Sequence, residues 1–112
     1  MNEEINIFRV LDYIRDNAKP YAQAKANRVY LEEYRKTLKA QLMQKAQQEG
    51  SVASATQERD AYAHPTYAEH LKALEVAVEA EETLRWRLIA AQARIEVWRS
   101  LGANQRAQDK IL

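Results

Sequence analysis

The sequence predicts an all-α protein: an elongated antiparallel helical hairpin of two long helices plus a short N-terminal helix, coiled-coil-like and oligomeric. Three observations predict it. First, Pro65 to Leu101 holds thirty-seven residues of helical pattern without internal proline or glycine. Tyr67, Leu71, Leu74, Val78, Leu84, Leu88, Ala91, Ile95 and Trp98 recur there at three- and four-residue steps, the helical period, with Glu81 filling the one missing step. Second, helix formers dominate, and the two prolines and two glycines stand where helices would start or stop. Third, charged residues make up 29% of the chain, which is high for a compact core built from one copy. A helix of that length runs roughly 55 Å and needs a second long helix or another copy to cover its seam.

The elements follow in order as one helical domain over 1–112. An N-terminal helix over 1–19 starts at Asn2, whose side chain can cap it, with Glu3 and Glu4 at the positive end of the dipole. Ile5, Phe8, Leu11 and Ile14 form its apolar face. It stops near Asn17 to Lys19, because Pro20 disfavours helical geometry in the residue before it. A long basic helix over 20–49 begins with Pro20 in its first turn and ends at Gly50. Its seam reads Ala24, Asn27, Leu31, Tyr34, Leu38, Leu42 and Ala46, in which Asn27 is a polar residue suited to fixing register. A connection over 50–64 holds a short helix from about Ala55 to Ala63, with Ser54 and Gln57 as a capping box. His64 and Pro65 break that helix, and the second long helix runs over 65–101 until Gly102, leaving 102–112 as a tail or a frayed continuation of the helix. Trp86, Val97 and Leu101 stand off its seam and widen the apolar surface, as a second interface does.

Several classes of function are disfavoured. Without cysteine there is no disulfide, thiolate nucleophile or thiolate metal site, and no apolar run is long enough to span a bilayer or serve as a signal sequence. A cytoplasmic protein without membrane contact is expected. His64 and His70 lack the spacing of a helical zinc pair, and Glu79, Glu81 and Glu82 have no accompanying base, nucleophile or phosphate loop. No catalytic residue, metal or cofactor is expected, and His64 reads as a turn or cap residue.

The net charge of +1 hides opposed blocks: −2 over 1–18, +5 over 19–45, −2 over 46–65, −4 over 66–84 and +4 over 85–112. Such blocks serve solubility, helix pairing or an anionic partner. Within the basic helix, Lys25, Arg28, Arg35, Lys36 and Lys39 fall within an arc of about 100° outside the Leu31, Tyr34 and Leu38 seam. This stripe either follows a phosphate backbone or pairs with the glutamates of 69–82 in the same or a neighbouring chain. Arg85, Arg87, Arg94 and Arg99 stand beside Trp86 and Trp98, a composition that can stack on unpaired bases. Trp98 equally fits packing in the seam.

Particular phrases carry a resemblance. Ala24-Lys25-Ala26-Asn27-Arg28-Val29-Tyr30-Leu31-Glu32-Glu33-Tyr34-Arg35-Lys36 and Glu58-Arg59-Asp60-Ala61-Tyr62 resemble a group of small phage and prophage proteins, as do Glu82-Thr83-Leu84-Arg85-Trp86 and Ala93-Arg94-Ile95-Glu96-Val97-Trp98-Arg99. The layout of residues 22–106 is more distantly similar to the UvsY-type recombination mediators of phages. This chain is shorter between its long helices and carries fewer lysines in the basic one. The resemblance implies a non-enzymatic helical oligomer in the bacterial host cytoplasm that binds single-stranded DNA and helps a recombinase displace single-strand-binding protein. Lys25, Arg28, Arg35, Lys36, Lys39, Arg85, Arg94 and Arg99 are then the expected DNA contacts, and Leu31, Tyr34, Leu38, Leu71, Leu74, Val78, Leu88, Ile95 and Trp98 the expected packing seam. The alternative is a protein-interaction module, such as a virion-assembly factor or an inhibitor of a host system, that binds no nucleic acid.

Overall fold

The structure, a computed structural model, describes residues 4–111. Among the described residues every regular element is a helix: α1 (Ile7–Gln48), α2 (Ser54–Ala63) and α3 (Pro65–Ile111). None of them is long and apolar enough to cross a membrane. The two long helices and the short helix of the connection therefore stand, but the division at the N-terminus differs.

α1 does not stop before Pro20; the proline lies inside it, exposed. Proline removes one rung of the ladder, the bond to the carbonyl of Asp16, and its ring crowds that carbonyl, at a cost of about 3 kcal/mol. Asp16 is exposed, so water can serve its carbonyl. Against that local cost stands a covered stripe that keeps step across the proline: Ile7, Val10, Ile14, Asn17, Tyr21, Ala24, Arg28 and Leu31 alternate steps of three and four, and all are at least partly buried. The predicted break over 17–19 is corrected because packing on both sides outweighs the preference of the residue before proline.

The start of α1 is corrected too. Asn6 caps it, its side-chain oxygen accepting the Arg9 amide at 3.2 Å, while Asn2 lies outside the described residues. The expected face of Ile5, Phe8, Leu11 and Ile14 does not form: Phe8 is 73% exposed and Leu11 is exposed, whereas Val10 is buried. Each three-residue step turns back 60°, so four such residues spread over half the helix instead of one side. At its other end α1 closes in a Schellman turn. Ser51 N–H reaches the Ala46 carbonyl at 3.0 Å, Gly50 N–H reaches Gln47 at 3.1 Å, and Gly50 takes the positive φ of 108° that favours glycine.

The capping box at Ser54 and Gln57 is absent. Ser54 is already the first helical residue, Ala53 occupies the cap without a side-chain bond, and Gln57 donates back to the carbonyl of Ser51 at 2.9 Å. His64 is extended and joins α2 to α3: its N–H donates to Ala61 O, and its ring Nδ1 accepts the Thr66 amide at 3.1 Å. α3 then continues past Gly102 to Ile111. Glycine in a helix interior is unfavourable by under 1 kcal/mol relative to alanine, too little to end a helix whose flanks are good formers.

The chain divides into two compact units, Met1–Ala22 with Glu82–Leu112, and Gln23–Glu81. In the second unit the core is Leu38, Leu42, Ala61 and Tyr67, with Tyr34 and Met43 against it. Ala61 is fully buried, and its small side chain lets α2 approach the leucines of α1. In the first unit Val10 of α1 and Ala91 of α3 are buried.

Candidate nucleic-acid interface

The basic stripe of α1 is divided by what its members touch. Arg28 is turned inward. Its Nε and Nη2 form a fork on the carboxylate of Glu81, the Nη2–Oε1 arm measuring 3.1 Å, while Nη1 donates to Glu32 at 2.8 Å. Glu81 is 5% exposed, and hydrogen bonding to Glu81, then to Glu32, holds the Arg28 guanidinium well above its ordinary pKa. Lys39 is half-buried. It donates to Glu58 at 3.0 Å and lies 4.8 Å from the centre of the Tyr62 ring, and hydrogen bonding to Tyr62, then to Glu58, raises its pKa. Arg28 and Lys39 thus serve internal pairing, one of the two roles open to the stripe.

Lys25, Arg35 and Lys36 are left on the exposed side. Lys36 has only Glu33 of its own helix at 3.3 Å, and among the described residues no carboxylate lies within ion-pair distance of Lys25 or Arg35. An exposed pair one helical turn apart is worth well under 1 kcal/mol, so Lys36 stays available to another anion.

The arginines of α3 belong to the other unit. Arg85 is half-buried, with Glu82 at 3.3 Å and its guanidinium 5.0 Å from the centre of the Trp86 ring. Arg99 holds Glu96 at 3.0 Å, and Arg94 is exposed with no carboxylate in range among the described residues. Trp86 is 58% exposed and presents its ring beside the Arg85 guanidinium, and Trp98 is also open.

Of the expected seam, Leu38 is buried; Leu31, Tyr34, Leu74, Leu88 and Ile95 are partly covered; Leu71, Val78 and Trp98 are exposed. The covered stripe of α3 runs instead through Tyr67, His70, Leu74, Ala77, Glu81, Leu84, Leu88, Ala91 and Ile95, again at alternating steps of three and four. His70 takes the place expected of Leu71. Its Nε2 lies 2.7 Å from the Leu31 carbonyl, and its ring is 5.6 Å from that of Tyr34. Asn27 is exposed, and the polar contact within the α1 stripe is made by Arg28.

No family model, curated protein or solved structure matches this chain. The sequence leaves open that the stripe pairs with the glutamates of 69–82, and for Arg28 it does so with Glu81; what it does not single out is this particular pair, although Glu81 stands at a seam position of α3.

Proposed function

We propose that the chain is a non-enzymatic, DNA-binding accessory protein that holds single-stranded DNA on an oligomer and assists the loading of a recombinase, in the cytoplasm of a bacterium carrying a phage or prophage. One observation carries the binding reading: Lys25, Arg35 and Lys36 share one exposed side of α1, with no ion pair to another element among the described residues, while their neighbours Arg28 and Lys39 are engaged internally. Side chains committed to folding would find partners as those two do. Three cations over some 16 Å of helix can follow a phosphate backbone, and repetition around an oligomer makes weak contacts add. The pairs Arg28 with Glu81 and Leu31 with His70 match rising numbers on α1 to falling ones on α3, which supports an antiparallel hairpin as the repeating piece. Interaction with the recombinase and with single-strand-binding protein rests on the family resemblance.

The test is fluorescence anisotropy of labelled single- and double-stranded oligonucleotides across a salt series, with light scattering for the mass. Tight, salt-sensitive preference of an oligomer for the single strand is expected, with its loss in the Lys25→Glu, Arg35→Glu, Lys36→Glu variant at unchanged helicity. Affinity unaffected by these substitutions would remove the assignment.

A second reading, a protein-interaction module without nucleic acid, is favoured by the open apolar side chains Phe8, Leu11, Trp86, Val97 and Leu101. It predicts a folded oligomer that binds no oligonucleotide at any salt concentration.

A further inference from the structure

In the unit formed by the start of α1 and the C-terminal part of α3, a cleft of about 450 Å³ is lined by three arginines, Arg9 of α1 and Arg87 and Arg94 of α3. Tyr13 stands on its wall, and Val10 and Ala91, both buried, form an apolar floor. Its volume falls within the roughly 300–1,000 Å³ typical of small-ligand sites.

The charge in this cleft is unbalanced. Arg15, Arg28, Arg59, Arg85 and Arg99 each hold a carboxylate within 3.4 Å, yet among the described residues no carboxylate lies within ion-pair distance of Arg9, Arg87 or Arg94. Among the described residues Glu4 is the one acid lining the cleft, against three guanidinium groups. Asn6, the cap of α1, also lines it, so the positive end of that helix adds to the field. Arginines converging with no carboxylate partner among the described residues repel one another, an arrangement relieved by an anion. Arg87 and Arg94 stand two turns apart on one helix, about 10 Å along its axis, and Arg9 comes from the other helix. That spread suits a chain of phosphates better than one isolated anion, while the apolar floor beside a phenol ring suits the face of a base.

We propose that this cleft is a phosphate-binding subsite that takes one to two nucleotides of a single strand, Arg9, Arg87 and Arg94 gripping the phosphates and Tyr13 with the Val10–Ala91 floor receiving a base. The identity of the strand rests on the single-stranded DNA reading above; the affinity for phosphate does not. The site lies apart in sequence from Lys25, Arg35 and Lys36, and Arg9 figures in no other contact proposed for the chain.

The test uses the full chain and the Arg9→Gln, Arg87→Gln, Arg94→Gln variant, with helicity checked by circular dichroism and Arg87→Gln alone as the milder substitution. Two probes are titrated: a labelled short oligothymidylate across a salt series, and sodium pyrophosphate by calorimetry. The expected result is at least a tenfold loss of oligothymidylate affinity in the triple variant, a smaller loss in Arg87→Gln, and a log–log salt slope shallower by about 2, at ~0.7 per phosphate contact for single strands. Pyrophosphate binding by the wild-type chain is expected to vanish in the variant. Pyrophosphate binding that vanishes in the variant without oligothymidylate binding by the wild type would support the phosphate site and remove the single-strand reading. Oligothymidylate binding that is identical in wild type and both variants would overturn the cleft and leave the reading of α1 intact, and a wild-type chain that binds neither probe would overturn both.

Discussion

Arg28 and Glu81, fifty-three residues apart in sequence, meet through a two-point fork in which guanidinium and carboxylate lie edge to edge. This fork occupies a covered position on both long helices, so it specifies which turn of α1 faces which turn of α3. Ionic pairs of this kind cost desolvation and contribute little net stability against an apolar pair, but breaking them from one side is expensive.

Replacing Arg28 by alanine should therefore lower the melting temperature by on the order of 10 °C, since the Glu81 carboxylate loses its two-point partner while remaining covered. The Arg28→Met, Glu81→Leu double substitution should recover most of that loss. Arg28→Lys, which cannot form the fork, should fall between the two. Thermal melts followed by circular dichroism decide it; a double variant as unstable as Arg28→Ala would mean the site requires charge.

The two glycines should respond in opposite directions. Gly50→Ala forces a side chain into a positive φ and should cost about 1 kcal/mol. Gly102→Ala should stabilise by about 0.5–1 kcal/mol, because Gly102 lies within α3 and a Cβ there meets only the flexible end of Arg106 at 3.4 Å. Urea titrations of both variants give the two signs.

His70→Ala should destabilise by about 2 kcal/mol or more, through the space left beside Tyr34 and the lost contact to the Leu31 carbonyl. His70→Leu keeps the volume and should lose less than half as much. Equal losses in the two variants would make the hydrogen bond, and not the packing, the dominant contribution.

Lys39 carries a pH dependence whose sign is fixed by its raised pKa. Its contribution is complete below its ordinary value of 10.5 and is lost as pH rises through the higher folded value. Melting temperatures of the wild type and Lys39→Met should therefore differ by a constant amount from neutral pH to about pH 10 and converge above it. A gap that persists undiminished at pH 11.5 would show that Lys39 stabilises through its aliphatic stem alone.

The helical class was legible because period, composition and the placement of most turn residues agree, and α2 was visible between Gly50 and Pro65. Finer features failed for identifiable reasons. At Pro20 a strong local rule was overridden by packing on both sides, which no window of sequence reveals. On α3, Leu71 and Val78 recur seven apart just as His70 and Ala77 do, so periodicity fits both pairs and hydrophobicity favoured the leucine and valine. The covered stripe takes the histidine and the alanine, because one reaches a carbonyl of α1 and the other is small. Arg28 was assigned to the basic side because it lies only about 60° from the seam at Leu31, a distance a long side chain crosses easily. Of the cleft lined by Arg9, Arg87 and Arg94, only the arginines of α3 stood out in sequence; that Arg9 joins them was not visible, since the two walls come from opposite ends of the chain.

His64 finishes α2 with its backbone and opens α3 with its ring, so no spacer separates the two helices. Such a joint transmits length errors directly. One residue inserted between His64 and Pro65 would rotate the whole of α3 by about 100° about its axis, carrying Tyr67 away from Leu38 and Glu81 away from Arg28. Insertions between Ser51 and Ala53 would be absorbed by irregular backbone. Natural variation in chain length is therefore expected to collect before α2 and to be excluded after it, giving the connection one tolerant end and one intolerant end.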